Sequence, residues 1–324
     1  MTTIEYRQLG KSDLYLSPIG LGTWQFSGSN GIGSRFWNTL SQHEADDIVR
    51  VSLLGGVNWI DTAEAYGNGV SELMIAQALK NIQKDTCILP SVYIADKWWP
   101  LGRRASSLKK TISERRRKLD GRIIDLYQIH HPTSISTLKA QMREMKQLIT
   151  QGDIRYIGVS NFTAKQMKKA NTLLKEEGLS LISNQVRYNL FDRSIERNGI
   201  LETAKQLGIS IIAYSPLHQG LLTGKFHENP DMLDKLFWVR KMQYNLTNKT
   251  LKHTKALIDT MSEIGRKYDR PPAQIALNWL IHAHGKNVFA IPGATTLSHV
   301  QVNLGAMEFK LSPEELAALN ELSL

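Results

Sequence analysis

Short apolar runs recur along this chain at intervals of roughly 30 to 40 residues, the length of a strand followed by a crossover helix. They centre near Ile19, Trp59, Val92, Ile124, Ile154, Ile182 and Ser210, with an eighth near Val288. Between them apolar residues return at helical spacing, most clearly over Gln42–Leu54, Ser71–Lys80, Ile135–Thr150, Thr163–Glu177 and Gly199–Leu207. Eight such units close into a (β/α)8 barrel, the α/β TIM-barrel fold, which needs about 250 residues. The chain has 324, so extras are expected. Tyr6–Leu9 and Leu14–Leu16, joined by Gly10-Lys11-Ser12-Asp13, read as an N-terminal β-hairpin that plugs the barrel bottom. Leu217–Thr250 reads as a long functional loop after strand 7. Ser312-Pro313-Glu314-Glu315 reads as the start of a C-terminal helix running to about Leu319. No low-complexity linker divides the chain, so residues 1–324 are expected to form a single domain.

The rival architecture, an open doubly wound sheet, announces a dinucleotide site with a glycine-rich turn after its first strand. Gly31-Ile32-Gly33 lacks the third glycine. Gly220-Leu221-Leu222-Thr223-Gly224-Lys225 is one residue short of a phosphate loop, with Phe226 where the hydroxyl residue belongs. Both near-misses favour the barrel.

Charge bears on partners. The chain carries 40 basic and 30 acidic residues, net +10, so its surface can attract nucleic acid or an anionic cofactor. The densest basic run, Arg115-Arg116-Arg117-Lys118, reads as a solvated helix face and has no interleaved aromatics, so no nucleic-acid partner is expected. No apolar run approaches a membrane span and no secretory leader is visible. The only cysteine, Cys87, cannot form an internal disulfide. A cytoplasmic monomer is expected.

Four residues follow successive strand-like runs: Asp61 and Tyr66 after Trp59-Ile60, Lys97 after Tyr93-Ile94, and His130 after Leu126 to Ile129. In a barrel they converge on the C-terminal rim, where such folds carry their chemistry. Carbonyl reduction needs a proton donor, and a phenol with an ordinary pKa near 10 is too weak an acid alone. A nearby ammonium makes it a better donor. Tyr66 is then the general acid, Lys97 its tuner, Asp61 the partner of Lys97, and His130 the group that orients the carbonyl oxygen. His131 rivals His130, but neighbours on a strand point to opposite faces, so only one is expected to reach the site.

Asp61-Thr62-Ala63, Tyr66-Gly67, Ser71-Glu72 and Ile129-His130-His131-Pro132 resemble the motifs of the aldo-keto reductase family. The resemblance extends through nearly the whole chain and implies an NADPH-dependent reductase of aldehydes and ketones acting on a small-molecule carbonyl substrate. It implies that Gly22, Thr23 and Trp24, at the end of the first strand, adjoin the nicotinamide together with Asp61. It implies that Ser160, Asn161 and Gln185 hold the carboxamide, and that Tyr214 stacks on the ring. Ser215, Pro216, Leu217, Gly220, Leu221 and Lys225 would line the pyrophosphate path. Ile291, Gly293, Thr295, His299 and Asn303 would hold the adenosine end, with Thr295 and His299 at the 2′-phosphate, so the cofactor is expected to be NADP. Thr295 and His299 depart from the basic residue often found there, and Val302 stands where many members carry glutamate.

The alternative is a regulatory or sensor protein of the same fold that binds the cofactor and turns over slowly. No metal is expected, since neither His130-His131 nor His282-Ala283-His284 has further ligands at a metal spacing. Trp24, Trp98 and Trp99 read equally as pocket wall or as packing.

Overall fold

The computed structural model describes residues 4–29, 39–86 and 91–323. Gly31-Ile32-Gly33 and Cys87 lie outside the described residues. An antiparallel pair, β1 (Arg7–Gln8) and β2 (Tyr15–Leu16), precedes eight parallel strands. These are β3 (Leu21–Gly22), β4 (Trp59–Asp61), β5 (Tyr93–Trp98), β6 (Ile124–Ile129), β7 (Ile154–Ser160), β8 (Leu181–Arg187), β9 (Ser210–Tyr214) and β10 (Val288–Ala290). Each pairs with the next in sequence order. Bridges from Ile19 to Ala290 and from Gly22 to Gly293 join the first barrel strand to the last and close the (β/α)8 barrel.

Alternation along each strand sorts residues between two cores. On β5, Ala95 and Lys97 face the barrel interior, while Ile94, Asp96 and Trp98 face the surrounding helices. On β6, Leu126 and Gln128 point in, and Tyr127 and Ile129 point out. The inner core is small and apolar: Trp59, Ala95, Leu126, Ile182, Ile212 and Phe289 meet Leu9, Leu14 and Leu16 of the hairpin. The hairpin therefore plugs one end, tied by Gly10 N donating to Ser210 Oγ at 2.8 Å. The outer core, between barrel and helices, is much larger.

Capping boxes start the helices Gln42–Leu54, Ala164–Lys175 and Pro313–Leu322, with Ser41, Thr163 and Ser312 as caps. The last of these runs three residues past the expected Leu319. The segment after β9 departs further from expectation. Instead of an irregular loop it forms short helical turns at His218–Thr223, Lys225–Glu228, Pro230–Leu233 and Trp238–Gln243. They pack around a local core of Leu221, Phe226, Leu233, Tyr244, Leu246 and Leu251. Helices Asn248–Tyr268 and Pro272–His282, absent from the expected elements, then lead to β10. The basic run also needs correction. It lies on the helix Ser107–Lys118, but Arg115 is buried against Glu72 at 2.9 Å rather than solvated.

Among the described residues, no helix is long and apolar enough to cross a membrane.

Candidate active site

The four expected residues meet at the rim opposite the plug. Asp61 ends β4, Lys97 sits one residue before the end of β5, and His130 follows β6 directly. Tyr66 opens a tight turn at Tyr66–Gly69. That turn needs Gly67, which has φ 61° and whose added Cβ would lie 2.0 Å from the carbonyl oxygen of Ser27.

The Lys97 ammonium is fully buried. It donates to Asp61 Oδ1 at 2.6 Å and to the Thr62 carbonyl at 2.7 Å, and it lies 3.4 Å from the Tyr66 hydroxyl. The other carboxylate oxygen of Asp61 accepts from Gln185 Nε2 at 2.8 Å and Gln128 Nε2 at 3.3 Å. A buried charge pair is thus hydrogen-bonded on both oxygens, as its desolvation demands. Gln128 was missed in the sequence, although it lies two residues before His130 and in register with Lys97.

Burial raises the Tyr66 pKa, with Lys97 pulling against it and Asp61 adding to it, so the phenol is protonated at neutral pH. The ammonium moderates burial here rather than overcoming it. Burial also pushes Lys97 down, but Asp61 and Tyr66 more than offset this, and its pKa ends above the ordinary lysine value. His130 is held well below the usual histidine range by burial, then by Lys97 and His131, so its imidazole is neutral. Its Nδ1 is buried with no partner among the described residues.

The paired histidines do not point to opposite faces as strand alternation predicts. The His130 and His131 rings lie nearly parallel, 5.6 Å apart, and both meet the edge or face of Trp99, at 5.1 and 5.6 Å. β6 ends at Ile129, so strand alternation no longer governs either residue. Trp99 is held by Glu64, which accepts from its backbone N–H and pairs with Arg103. Trp98, by contrast, is core: it is fully buried, with its indole N–H on Ser107 Oγ at 3.0 Å.

The expected cofactor residues fall into two groups. Some have side chains already engaged. Thr23 is buried and donates to the Asp61 carbonyl, Ser160 donates to the Gln185 carbonyl, and Gln185 is committed to Asp61. Leu221 and Ile291 bury their side chains in apolar clusters, and Pro216 is buried, so these three offer backbone only. Gly22 packs against the carbonyl of Ile291, where an added Cβ would lie at 2.7 Å.

The rest line the rim. Tyr214 donates to Asn161 Oδ1 at 2.9 Å, and Asn161 donates in turn to the His130 carbonyl at 3.1 Å. Trp24, Ser215 and Leu217 are half-buried at the ends of β3 and β9. The Gln25 side chain lies over Gly293. Gly220, with φ 95°, leaves room for Lys225, whose Cε would meet an added Cβ at 2.8 Å. Lys225 has no acidic partner among the described residues, and its charge is felt by His299. Thr295 Oγ1 contacts His299 Nδ1 at 3.2 Å, on the first turn of the helix Leu297–Gly305, where Asn303 is buried. A cation with no acidic partner among the described residues, beside a helix start, is a setting for a phosphate. The residues present fit a dinucleotide.

The aldo/keto reductase family profile matches residues 18–324. An uncharacterized oxidoreductase of Mycobacterium tuberculosis is 34% identical over 309 residues, covering 94% of this chain and 89% of that protein. Among solved structures, a thermostable aldo-keto reductase bound to the inhibitor epalrestat is 31% identical with a TM-score of 0.77, covering 98% of this chain and 99% of that one. The glycerol dehydrogenase of Gluconobacter oxydans is 26% identical with a TM-score of 0.82, covering 98% and 94%. An aldo/keto reductase from Klebsiella pneumoniae, solved with NADP and acetate, is 25% identical with a TM-score of 0.73, covering 99% and 95%. The chain belongs to the aldo/keto reductase family, oxidoreductases that use a nicotinamide cofactor on small-molecule carbonyl compounds.

Proposed function

We propose that this protein reduces aldehydes and ketones to alcohols with NADPH, with Tyr66 as the proton donor. One arrangement carries the reading: a fully buried ammonium, Lys97 Nζ, held by Asp61 at 2.6 Å and set 3.4 Å from the Tyr66 hydroxyl. A nicotinamide held at the rim would supply a hydride for the carbonyl carbon. The chain supplies the rest. Tyr66 gives its proton to the carbonyl oxygen, and Lys97 stabilises the phenolate that this leaves. Asp61 holds Lys97 in place. His130, neutral and with its Nδ1 buried, presents the other nitrogen to the carbonyl oxygen and orients it. Trp99 and His131 wall the substrate side of the same mouth. Lys225, Thr295 and His299 support a preference for the 2′-phosphorylated cofactor through charge and hydrogen bonding.

The test is Tyr66→Phe. It should bind NADPH as wild type does, by quenching of protein fluorescence, yet lose on the order of 10²-fold or more in turnover of a reactive aldehyde. Near-normal turnover would remove Tyr66 from the proton-donor role.

A further inference from the structure

The Ser71-Glu72 motif leaves one residue that the chemistry above does not use. Glu72 lies in the first turn of the helix Val70–Thr86, and it is completely buried. So is Asp96, which points outward from the wall of β5 while its neighbour Lys97 points in. Each carboxyl has one oxygen satisfied. Glu72 Oε2 accepts from Arg115 at 2.9 Å, and Asp96 Oδ1 accepts from the backbone N–H of Lys97 at 2.7 Å. The other two oxygens, Glu72 Oε1 and Asp96 Oδ2, are buried and receive no donor among the described residues. The two side chains are hydrogen-bonding neighbours.

Two neighbouring carboxylates, each with a bare oxygen out of water, repel and forfeit hydrogen bonds. A single proton between them converts the repulsion into a short charge-assisted bond and satisfies both. The charges around the pair agree with one proton, not none. Arg115 is the cation in direct contact, and it is shared with Glu114 at 3.0 Å. Lys118 approaches from the same helix but is engaged with the Asn68 carbonyl and Glu114. Lys97 faces the pair only from across the barrel wall and belongs to Asp61. Glu64 and the Tyr127 hydroxyl, itself buried with no partner among the described residues, bring no positive charge.

We infer that Glu72 and Asp96 hold one proton between them, and that this bridge, anchored by Arg115, is a positioning element that fixes the Lys97 backbone from behind the active site. Burial first, and then the carboxylate of Asp96, raise the pKa of Glu72, which keeps the proton on that side. Asp96 is raised by burial too, but the Lys97 N–H and Arg115 favour its ionised form. Because neighbours on a strand face opposite sides, holding Asp96 outside the barrel holds the root of Lys97 inside it. The catalytic consequence rests on the proposed role of Lys97; the shared proton does not.

Difference infrared spectroscopy of wild type against Glu72→Gln tests the proton. Wild type at neutral pH should show the carbonyl band of a buried protonated carboxyl, and the variant should lack it. Stability gives a second readout. A carboxyl whose folded pKa is raised binds more protons folded than unfolded, so stability falls as pH rises above about 4.5. The amide cannot ionise, so Glu72→Gln should lose less Tm than wild type between about pH 6 and about pH 9. Kinetics then test positioning. Glu72→Gln keeps an N–H donor for Asp96 and should hold kcat within about twofold of wild type. Glu72→Leu removes the bridge and should lower kcat about tenfold with cofactor affinity unchanged. No carboxyl band in wild type, or a Gln variant as impaired as the Leu variant, would overturn the inference. If the Leu variant does not fold, the band and the Tm slope still decide. A wild type that shows the band but reduces no carbonyl would strike the functional reading alone.

Discussion

Lys97→Met removes one charge and keeps most of the side-chain stem, so its consequences can be worked from the site. The ammonium lies 3.4 Å from the Tyr66 hydroxyl. At an effective dielectric constant of about 20, its attraction for the phenolate that the proposed proton transfer leaves is roughly 5 kcal/mol. Asp61 opposes it with a smaller effect. Each ~1.4 kcal/mol is tenfold in rate, so a loss of about 10²- to 10³-fold is expected. Stability should fall as well. Asp61, buried, would keep Gln185 and Gln128 as its side-chain donors among the described residues. Breaking a buried pair on one side costs about 3–5 kcal/mol, which corresponds to a Tm lower by on the order of 10 °C. The assay is single-turnover oxidation of prebound NADPH by a reactive aldehyde, followed by loss of reduced-nicotinamide absorbance. Single turnover separates chemistry from slow cofactor release. A folded Lys97→Met that binds NADPH and reacts within about threefold of wild type would refute the tuning role. Equally slow reaction in both proteins would favour a sensor over a reductase.

Three further outcomes follow from the same geometry. His130→Ala should cost on the order of 10²-fold in kcat/KM, whereas His131→Ala, which changes a wall of the mouth, should cost less and alter the ranking of a carbonyl panel. Lys225→Ala should weaken NADPH about tenfold, roughly 1.4 kcal/mol, and NADH less; equal losses in fluorescence titrations would place Lys225 away from the 2′-phosphate. His130 is held below its unfolded pKa by burial, so its contribution to stability is present above about pH 6.5 and is lost as pH falls through the folded value. Thermal melts should therefore show His130→Gln losing less Tm than wild type on acidification.

The barrel was legible because its strands are buried on both faces and its units repeat at a fixed interval. Asp61, Lys97 and His130 were legible for a related reason: strand ends are fixed points in such a fold. What escaped depended on contacts between distant segments. The helical turns after β9 are stabilised by their own small core, built from Leu221, Phe226, Leu233, Tyr244, Leu246 and Leu251, and no periodicity announces such a core. Arg115 looked solvated within a basic run, since its buried partner Glu72 is 43 residues away. His131 was assigned to the wrong face because β6 stops one residue before the histidine pair. Gln128 was within reach of period-two reasoning from Leu126, which shares its inward face on β6.

The hairpin plug sets an order of events on the ribosome. Its two strands are synthesised before the barrel, yet Gly10 docks on Ser210, 200 residues later, and Arg7 on the Ile281 carbonyl, 274 residues later. At about 5–20 residues per second, the hairpin waits roughly 10 to 50 s for its socket to be made. Meanwhile Leu9, Leu14 and Leu16 have nothing to bury against, and β3 has no last strand to close with. Any chain released before Val288 presents two open sheet edges and an undocked apolar hairpin, the surfaces through which nascent chains aggregate. Completion of the last strand is therefore the moment at which this chain becomes safe to release.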